Sequence, residues 1–387
     1  MADGLLVSRR SALGFGVAAL ATALPATRAL AKAASFAAAD KLAADAVVAR
    51  TVPSVAYAVM QGGRLVNQRY AGFANLETRT PAGPGSVYRI GSVTKQFTAA
   101  ALLLLQEDGR LNLDDPLGKY FPDFPRAGEV TLRRMLSHTA GIGNYTNMTP
   151  VSAFVQAART DYDEAALMAL LRRVEPLYVF DPGTAWAYSN TAFVMLGMIV
   201  TRVSGMPYGE FFRSRLLAPA GLAATAVDDA DDVVPGRAAG YTPLPTAPGG
   251  FANASFISMD VPGAAGNMRS TVGDLCRWHD RLLGGHVLQP ASLAQMLTPA
   301  KTLTGAVPMA KAPVGKLTPQ HYGLGIGVRA TPRGRLVAHT GGILGFSTKL
   351  STVGGVTVAI TINTDAGTGP LRESIEEAAF KAALGEA

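Results

Sequence analysis

A serine and a lysine stand three residues apart in Ser92-Val93-Thr94-Lys95. On a helix, residues at this spacing share one face with their Cβ atoms about 5–6 Å apart, so the amine can reach the hydroxyl. A lysine in a buried, water-poor environment has a lowered pKa and can act as the base that activates a serine. No other lysine in the sequence has a serine three residues before it. The spacing therefore favours Ser92 as a nucleophile and Lys95 as its base.

The alternative without a catalytic role is a serine that caps a helix and a lysine at the protein surface. The pattern from Ser92 to Glu107 is helical and apolar on nearly every side through Ala99–Leu105, which predicts a buried helix. A lysine that opens such a helix is costly unless it has a function. Ser92 lies in the predicted first turn, where unpaired backbone N–H groups favour developing negative charge.

A tyrosine and an asparagine form a second candidate pair in Tyr188-x-Asn190. A phenol close to the lysine can exist partly as phenolate and relay protons, and the amide can hydrogen-bond the lysine and a substrate amide. Tyr145-x-Asn147 has the same spacing and competes for this role. We favour Tyr188 because an upstream Pro-Gly pair and a predicted helix place it at a fixed loop–helix junction. The alternative is a structural turn with Asn190 as helix cap.

The third candidate is His339-Thr340-Gly341-Gly342, at the end of a predicted strand. Glycine there lets a substrate pair with the strand edge, and a backbone N–H can complete an oxyanion hole with that of the serine. The alternative is a histidine whose ring is satisfied within the protein. A similar run that begins at His138 follows a predicted helix, and we interpret it as a structural cap.

Three motifs stand in a characteristic order along the chain: Ser92-x-x-Lys95, Tyr188-x-Asn190 and His339-Thr340-Gly341. In this order and at these separations they resemble the motifs of the serine β-lactamase and penicillin-binding protein family. The closest branch is that of the class C β-lactamases, D,D-carboxypeptidases and related esterases. The similarity runs roughly from Phe36 to the C-terminus.

The arrangement of predicted elements and the resemblance point to the same fold. Strand-like segments at both ends of the chain, with helices between them, predict a sheet that is built from both termini. The resemblance implies an α+β fold of the β-lactamase/transpeptidase type, with an antiparallel sheet flanked by terminal helices and an inserted, mainly helical domain. It implies a sheet domain of residues 36–90 and 300–387, a helical domain of residues 91–299, and an active site in the cleft between them.

The resemblance also implies chemistry, namely acylation of a serine and hydrolysis of the acyl-enzyme by water. The residues to which it gives catalytic roles are Ser92, Lys95 and Tyr188, and those to which it gives substrate-binding roles are Asn190, His339, Thr340, Gly341 and Gly342. The third motif departs from the β-lactamase form, which has lysine where this chain has histidine. We therefore expect an ester, amide or D-amino-acid peptide substrate, as for a D,D-peptidase or esterase, rather than efficient β-lactam hydrolysis. The alternative is a penicillin- or envelope-peptide-binding protein without turnover.

Composition and motifs exclude several other classes of function. The chain has 387 residues and a formal net charge of +7, but its basic residues are scattered, whereas nucleic-acid-binding proteins cluster them. The five histidines form no HExxH pattern and no phosphate-binding loop occurs, so the sequence predicts neither a metal nor a cofactor. Cys276 is the single cysteine, which excludes an intramolecular disulfide. We expect a small-molecule or peptide substrate and no nucleic-acid partner.

Residues 1–31 have the pattern of an export signal. Arg9 and Arg10 precede an apolar stretch from Gly14 to Leu24, and the small-x-small site Ala29–Ala31 follows. The paired arginines resemble a twin-arginine signal. The alternative, an anchoring helix, is weaker because the apolar run is too short to span a bilayer. We expect a periplasmic or secreted protein with no stable membrane span after cleavage.

Local patterns predict the main elements. The predicted strands are 55–60, 64–70, 323–328, 336–340, 347–352 and 356–363, and the principal predicted helices are 36–50, 92–107, 131–137, 162–174, 191–203, 271–283 and 371–384. Two breaker-rich stretches, residues 235–250 and 298–319, are predicted to be long loops that border the cleft.

Overall fold

The structure is a computed structural model that describes residues 36–301 and 321–386. The predicted signal peptide and most of the second predicted loop lie outside the described residues, so export stays a prediction. In the described ranges, no helix combines the length and the apolar character that crossing a membrane requires.

In the described part of the chain, twelve strands form three sheets, and seven of these strands belong to the largest, which is antiparallel. The strands are β1 (Ser54–Gln61), β2 (Arg64–Asn75), β3 (Thr80–Pro81), β4 (Tyr88–Arg89), β5 (Ala226–Val227), β6 (Tyr241–Pro243), β7 (Phe251–Asn253), β8 (Met268–Ser270), β9 (Gly327–Thr331), β10 (Gly334–Ile343), β11 (Phe346–Val353) and β12 (Val356–Ile362). The large sheet has the order β3-β2-β1-β12-β11-β10-β9. The first strand of the chain therefore pairs with the last one, so that both ends of the chain build the sheet, as the sequence predicts.

Helices flank this sheet, and most of them lie between its N-terminal and its C-terminal strands along the chain. They are α1 (Ala37–Val48), α2 (Thr94–Glu107), α3 (Leu132–Leu136), α4 (Val151–Ala157), α5 (Glu164–Arg172), α6 (Asn190–Ser204), α7 (Tyr208–Phe212), α8 (Ala218–Ala220), α9 (Gly263–Gly266), α10 (Val272–Leu283), α11 (Pro290–Met296) and α12 (Gly369–Leu384). This combination of an antiparallel sheet and many helices confirms the predicted α+β class. The proposed domain boundaries stay a prediction.

The sheet separates two apolar cores, and strand β1 contributes to both. Val55, Tyr57 and Val59 pack with α1 and α12 on one face. Ala56 and Ala58 point to the other face and join the larger core that includes α2, α6 and α10. This alternation follows from the period of two residues along a strand. Because an apolar core covers each face of the sheet, the sequence of β1 is an almost continuous apolar run.

Helix α2 carries the predicted base into the larger core. Twelve of its fourteen residues are buried, from Thr94 to Leu105. Its apolar side chains surround the helix, in agreement with the prediction of a helix without a solvent face. The helix end that bears Lys95 therefore has a rigid, dry environment.

The predicted strand Gly323–Val328 is wrong over its first four residues, because β9 begins only at Gly327. Gly325 has a φ of +68° and donates its N–H to the Leu136 carbonyl at 3.0 Å. A Cβ at this position would lie 2.5 Å from the Lys95 carbonyl oxygen. The segment thus crosses close to α2 at Gly325. This crossing requires a positive φ, which glycine adopts readily and most other residues do not.

Two other predicted boundaries differ from the structure. Strand β10 continues to Ile343, so His339 lies inside the strand and not near its end. The first predicted loop contains β6, which pairs with β7 in a short hairpin. Both differences arise from hydrogen bonds to neighbouring segments, which local patterns do not report.

Candidate active site

Ser92 lies in a single 3-10 turn, Gly91–Val93, that leads directly into α2. Gly91 has a φ of +51°, and a Cβ there would lie 2.8 Å from both the N and the O of Gly342. Only glycine permits this approach, which brings the turn against strand β10. The fold therefore fixes the serine between the start of a buried helix and the strand edge.

Lys95 is fully buried, and its Nζ lies 3.1 Å from Ser92 Oγ. The same nitrogen donates to Asn190 Oδ1 and to the Ala265 carbonyl, both at 2.7 Å. Burial holds the pKa of Lys95 well below its usual value. A neutral amine has two N–H groups and one lone pair. Because two carbonyl-type oxygens take the N–H groups, the lone pair is available to the hydroxyl of Ser92.

Tyr188 and Asn190 reach this site from the start of α6. Ser189 caps the helix by accepting the N–H of Ala192 at 3.2 Å, which points its two neighbours towards the lysine. Lys95 Nζ lies 4.7 Å from the centre of the Tyr188 ring. Burial raises the pKa of Tyr188, and a hydrogen bond with Ser92 opposes that rise only in part. The resting site therefore holds a neutral phenol, whereas the sequence had left a partial phenolate open.

The competing run Tyr145-x-Asn147 is near the same site but has other contacts. The hydroxyl of Tyr145 donates to the Val261 carbonyl at 2.7 Å, and its side chain is buried. Thr146 Oγ1 lies 3.4 Å from Asn190 Nδ2. This segment therefore supports Asn190, whereas Tyr188 is the phenol beside Lys95.

His339 is buried inside β10, and both of its ring nitrogens have partners. Nδ1 lies 2.6 Å from the Thr340 carbonyl and Nε2 lies 2.9 Å from the hydroxyl of Tyr322. A carbonyl only accepts, so Nδ1 carries the proton and Nε2 accepts from the phenol. Burial, with a smaller contribution from Lys95, lowers the pKa of His339 to about 3. The imidazole is therefore neutral and offers no charge to a substrate carboxylate.

Strand β10 presents an edge to the serine beyond its pairing with β9. The two strands pair from Gly334 only as far as Ala338. A Cβ at Gly341 would lie 1.9 Å from the Ile90 carbonyl oxygen and 3.2 Å from the backbone nitrogen of Ser92. The strand backbone thus runs in direct contact with the turn that bears the serine, where backbone N–H groups can stabilise an oxyanion.

A cavity of about 650 Å³ opens over these residues. All the predicted site residues except Lys95 and Gly341 line it, and those two are buried. The cavity walls also include apolar side chains, among them Ile142, Phe154, Val179, Ile257 and Leu344. This volume suits a small molecule or a short peptide.

Comparison with known proteins is consistent with this geometry. A sequence model of the Beta-lactamase family matches residues 39–383. The chain belongs to the Beta-lactamase family. Penicillin-binding protein 4* of Bacillus subtilis (strain 168) is 26% identical over 300 residues, which cover 75% of this chain and 63% of that relative. The chain thus spans less than two thirds of that relative's length.

Solved structures extend the comparison to the whole fold. A D-stereospecific amidohydrolase from Streptomyces sp. is 30% identical, with a TM-score of 0.72, and the match covers 89% of this chain and 98% of that one. D-amino acid amidase from Ochrobactrum anthropi SV3, in complex with L-phenylalanine, is 25% identical, with a TM-score of 0.74 and coverage of 89% and 99%. The predicted fold class is confirmed, and so, at the level of the family, is the prediction of a serine hydrolase.

Several residues of this Beta-lactamase family site were not found by sequence reasoning. Tyr322 holds His339, Asn144 Oδ1 accepts the backbone N–H of Asn190 at 3.1 Å, and Asp365 lines the cavity. Each belongs to no short motif and reaches the site through tertiary contacts. Of these residues, only Asn144 could have been noticed in the sequence, because it directly precedes Tyr145 of the competing run.

His138, interpreted from the sequence as a structural cap, lies directly behind the site. It has a φ of +61° and follows α3, which ends at Leu136. Its Nδ1 accepts the N–H of Ser189 at 3.2 Å, and its ring centre lies 4.3 Å from that of Tyr188. Burial lowers the pKa of His138 well below its usual value, so the ring is neutral. It packs under the tyrosine and fixes the backbone between the tyrosine and Asn190.

Proposed function

We propose that this chain is a serine amidohydrolase that cleaves amides and esters of D-amino acids or short D-amino-acid peptides through an acyl-enzyme at Ser92. One observation carries the proposal, namely that the fully buried Lys95 Nζ lies 3.1 Å from Ser92 Oγ while it donates to Asn190 Oδ1 and to the Ala265 carbonyl, both at 2.7 Å. The D-amino-acid preference draws on the amidohydrolase and amidase named above.

The contacts give each group a part in acylation. Lys95 accepts the hydroxyl proton as Ser92 Oγ attacks the substrate carbonyl carbon. The carbonyl oxygen becomes an oxyanion that accepts from the backbone N–H of Ser92 and from that of Gly342 on β10. The lysine proton then passes through the neutral phenol of Tyr188 to the leaving nitrogen or oxygen, and the carbon–leaving-group bond breaks.

Deacylation uses the same groups in reverse. A water molecule attacks the ester carbonyl and gives its proton to the Lys95–Tyr188 pair. The proton returns to Ser92 Oγ as the ester bond breaks, which restores the resting site and releases the carboxylic acid. Asn190 keeps the lysine in place through both halves, because its Oδ1 holds one of the two N–H groups.

The site provides less for a β-lactam or for a peptide with a terminal carboxylate. Where the β-lactamase motif has a lysine, the neutral ring of His339 is engaged by Tyr322. A carboxylate in the cavity would therefore lose water without gaining an ion pair, which is unfavourable. Membership of the Beta-lactamase family and weak β-lactam hydrolysis are compatible on this account.

A substrate panel on purified protein tests the proposal. It comprises D- and L-phenylalanine p-nitroanilide, a D-Ala-D-Ala peptide, p-nitrophenyl butyrate and nitrocefin, each with the Ser92→Ala variant as control. We expect continuous turnover of the ester and the D-anilide, with slower use of the carboxylate-bearing substrates. A single stoichiometric burst without turnover would instead favour the alternative of a penicillin- or peptide-binding protein.

A further inference from the structure

The cavity over Ser92 is almost free of formal charge. Among the described residues that line it, Asp365 alone carries one at neutral pH, since His339 is neutral. Lys95 is fully buried beneath the serine and its N–H groups are engaged within the protein. A substrate in this cavity therefore meets one negative group and no accessible cation among the described residues.

Asp365 follows strand β12 and is fixed through one of its two carboxylate oxygens. Oδ2 accepts the N–H of Gly345 at 2.8 Å and the hydroxyl of Thr242 at 3.1 Å. Gly345 lies in the turn between β10 and β11, so the carboxylate is held just past the strand edge that faces the serine. Within the described ranges Oδ1 has no donor and Asp365 has no ion-pair partner.

A half-buried carboxylate without a counter-ion favours a cation beside it. In a cleft the charge of the carboxylate is only partly screened. Its electrostatic attraction for an ammonium group within contact distance is therefore stronger there than at an open surface. A carboxylate at the same place would be repelled. We propose that Asp365 binds the protonated amine of the substrate's acyl group, and so selects amine-bearing amides and esters over N-acylated or acidic ones.

This inference rests on the proposed function for the position of the acyl group, and it names the substrate class more closely. The acyl group must reach from the serine to the β10–β11 turn. Gly342, which contacts the serine turn, and Gly345, which donates to Asp365, are three residues apart, so their backbones lie within about 10 Å of each other. The amine is therefore the α-ammonium of an amino acid or the N-terminal ammonium of a dipeptide.

The test compares substrates that differ only in the amine charge. D-phenylalanine p-nitroanilide and glycyl-D-phenylalanine p-nitroanilide are each assayed with a free and an acetylated amine, in wild type and in Asp365→Asn. Asparagine keeps an oxygen for the N–H of Gly345, so the turn is retained. The exposed Asp123, changed to asparagine, is the matched control for loss of one negative charge.

We expect Asp365→Asn to lower kcat/KM for at least one free amine by about 10- to 50-fold, and for its acetylated partner by less than about 3-fold. The wild-type preference for the free amine should also fall above pH about 8, where an α-ammonium loses its proton. Equal losses for the free and acetylated substrates, or no loss for either, would overturn the proposal.

A binding measurement separates this inference from the proposed function. Calorimetric titration of D-phenylalanine amide and glycyl-D-phenylalanine amide, each with its N-acetyl form, uses the Ser92→Ala protein with and without Asp365→Asn. Tighter binding of a free amine that depends on Asp365 supports the inference even if no anilide is turned over. Turnover of anilides together with amine-independent binding and kinetics would leave the proposed function standing and remove the role of Asp365.

Discussion

At the scale of single residues, the account depends on Lys95 and Tyr188 acting as one proton-handling pair. Lys95→Met should lower kcat/KM by about 1,000-fold and Tyr188→Phe by about 100- to 1,000-fold, because each removes general acid–base catalysis. The double variant should be little worse than the poorer single one, since groups that act as a unit are strongly non-additive. Steady-state kinetics of the four proteins on p-nitrophenyl butyrate provide the measurement.

Multiplicative losses in the double variant would contradict this reading, because they would indicate independent roles. Stability gives a control on folding. Lys95→Met should unfold at the same temperature as the wild type or a higher one at pH 7, since a buried amine with a lowered pKa is costly to keep. A strongly destabilised Lys95→Met protein would indicate that the lysine is mainly structural.

The residues that could be predicted from the sequence are those whose partners are close in the chain or form a compact motif. The spacing of Ser92 and Lys95 determines how close their side chains lie, because a helix turn fixes that distance. Tyr322 and Asp365 act through partners distant in sequence, His339 and Gly345, which only the folded chain brings near. For the same reason, the sequence did not decide whether the ring of His339 is hydrogen-bonded within the protein and neutral.

At the scale of elements, the contact between β10 and the serine turn decides whether the oxyanion site forms. In Gly341→Ala the new Cβ would lie 1.9 Å from the Ile90 carbonyl, so the strand must move away from Ser92. We expect kcat/KM to fall by about 100-fold or more, since small displacements in a catalytic site have effects of this size. Kinetics and circular dichroism on the purified variant check it.

Gly128→Ala is the matched control, because a Cβ at Gly128 meets no described atom within 4 Å. It should keep wild-type activity and fold. Full activity in Gly341→Ala would show that the strand tolerates the side chain, and the close contact would then have no catalytic role.

Elements with a strong local period were predicted within a few residues, and those without one were not. Helix α2 and strands β1 and β12 have long apolar runs that limit the possible structures. The glycine-rich segment Gly323–Val328 has the composition of a flexible strand but turns over α2. Its conformation is set by hydrogen bonds to Leu136 and Met296, which are remote in sequence.

At the scale of the whole molecule, buried histidines should make stability depend on pH. His279 is fully buried between Gln96 and Thr352, and burial lowers its pKa to about 3. The unfolded chain has a histidine pKa of about 6.5, so between these values the unfolded state binds more protons. The stabilising contribution is therefore present above pH 6.5 and is lost as the pH falls towards 3.

From pH 7 to pH 5 this one residue should reduce the free energy of unfolding by about 2 kcal/mol. Urea unfolding at the two pH values measures the change. His279→Gln should show a smaller decrease in the free energy of unfolding than the wild type. His286→Gln, at an exposed position, should show the same decrease as the wild type. An identical decrease in His279→Gln and wild type would show that His279 does not carry this dependence.

The large sheet shows how the whole chain builds the site. Strand β12, near the C-terminus, pairs with β1, and Asp365 lies three residues beyond the end of β12. The turn that bears the serine and strand β10 are thus separated by more than 240 residues in sequence but are in direct contact in the fold. Predicted strands at both ends of the chain, with helices between them, indicated this arrangement from the sequence, whereas the cavity and its charge depend on side chains that pack only after folding.

The most direct measurement of the central claim is the identity of the residue that becomes acylated. Purified protein is exposed to a fluorophosphonate or a labelled penicillin, and intact-protein mass spectrometry with peptide mapping locates the adduct. We expect one adduct on Ser92, slower labelling in Lys95→Met and none in Ser92→Ala, with hydrolysis in that last variant reduced by several powers of ten. An adduct on any other residue, or full activity in Ser92→Ala, would contradict it.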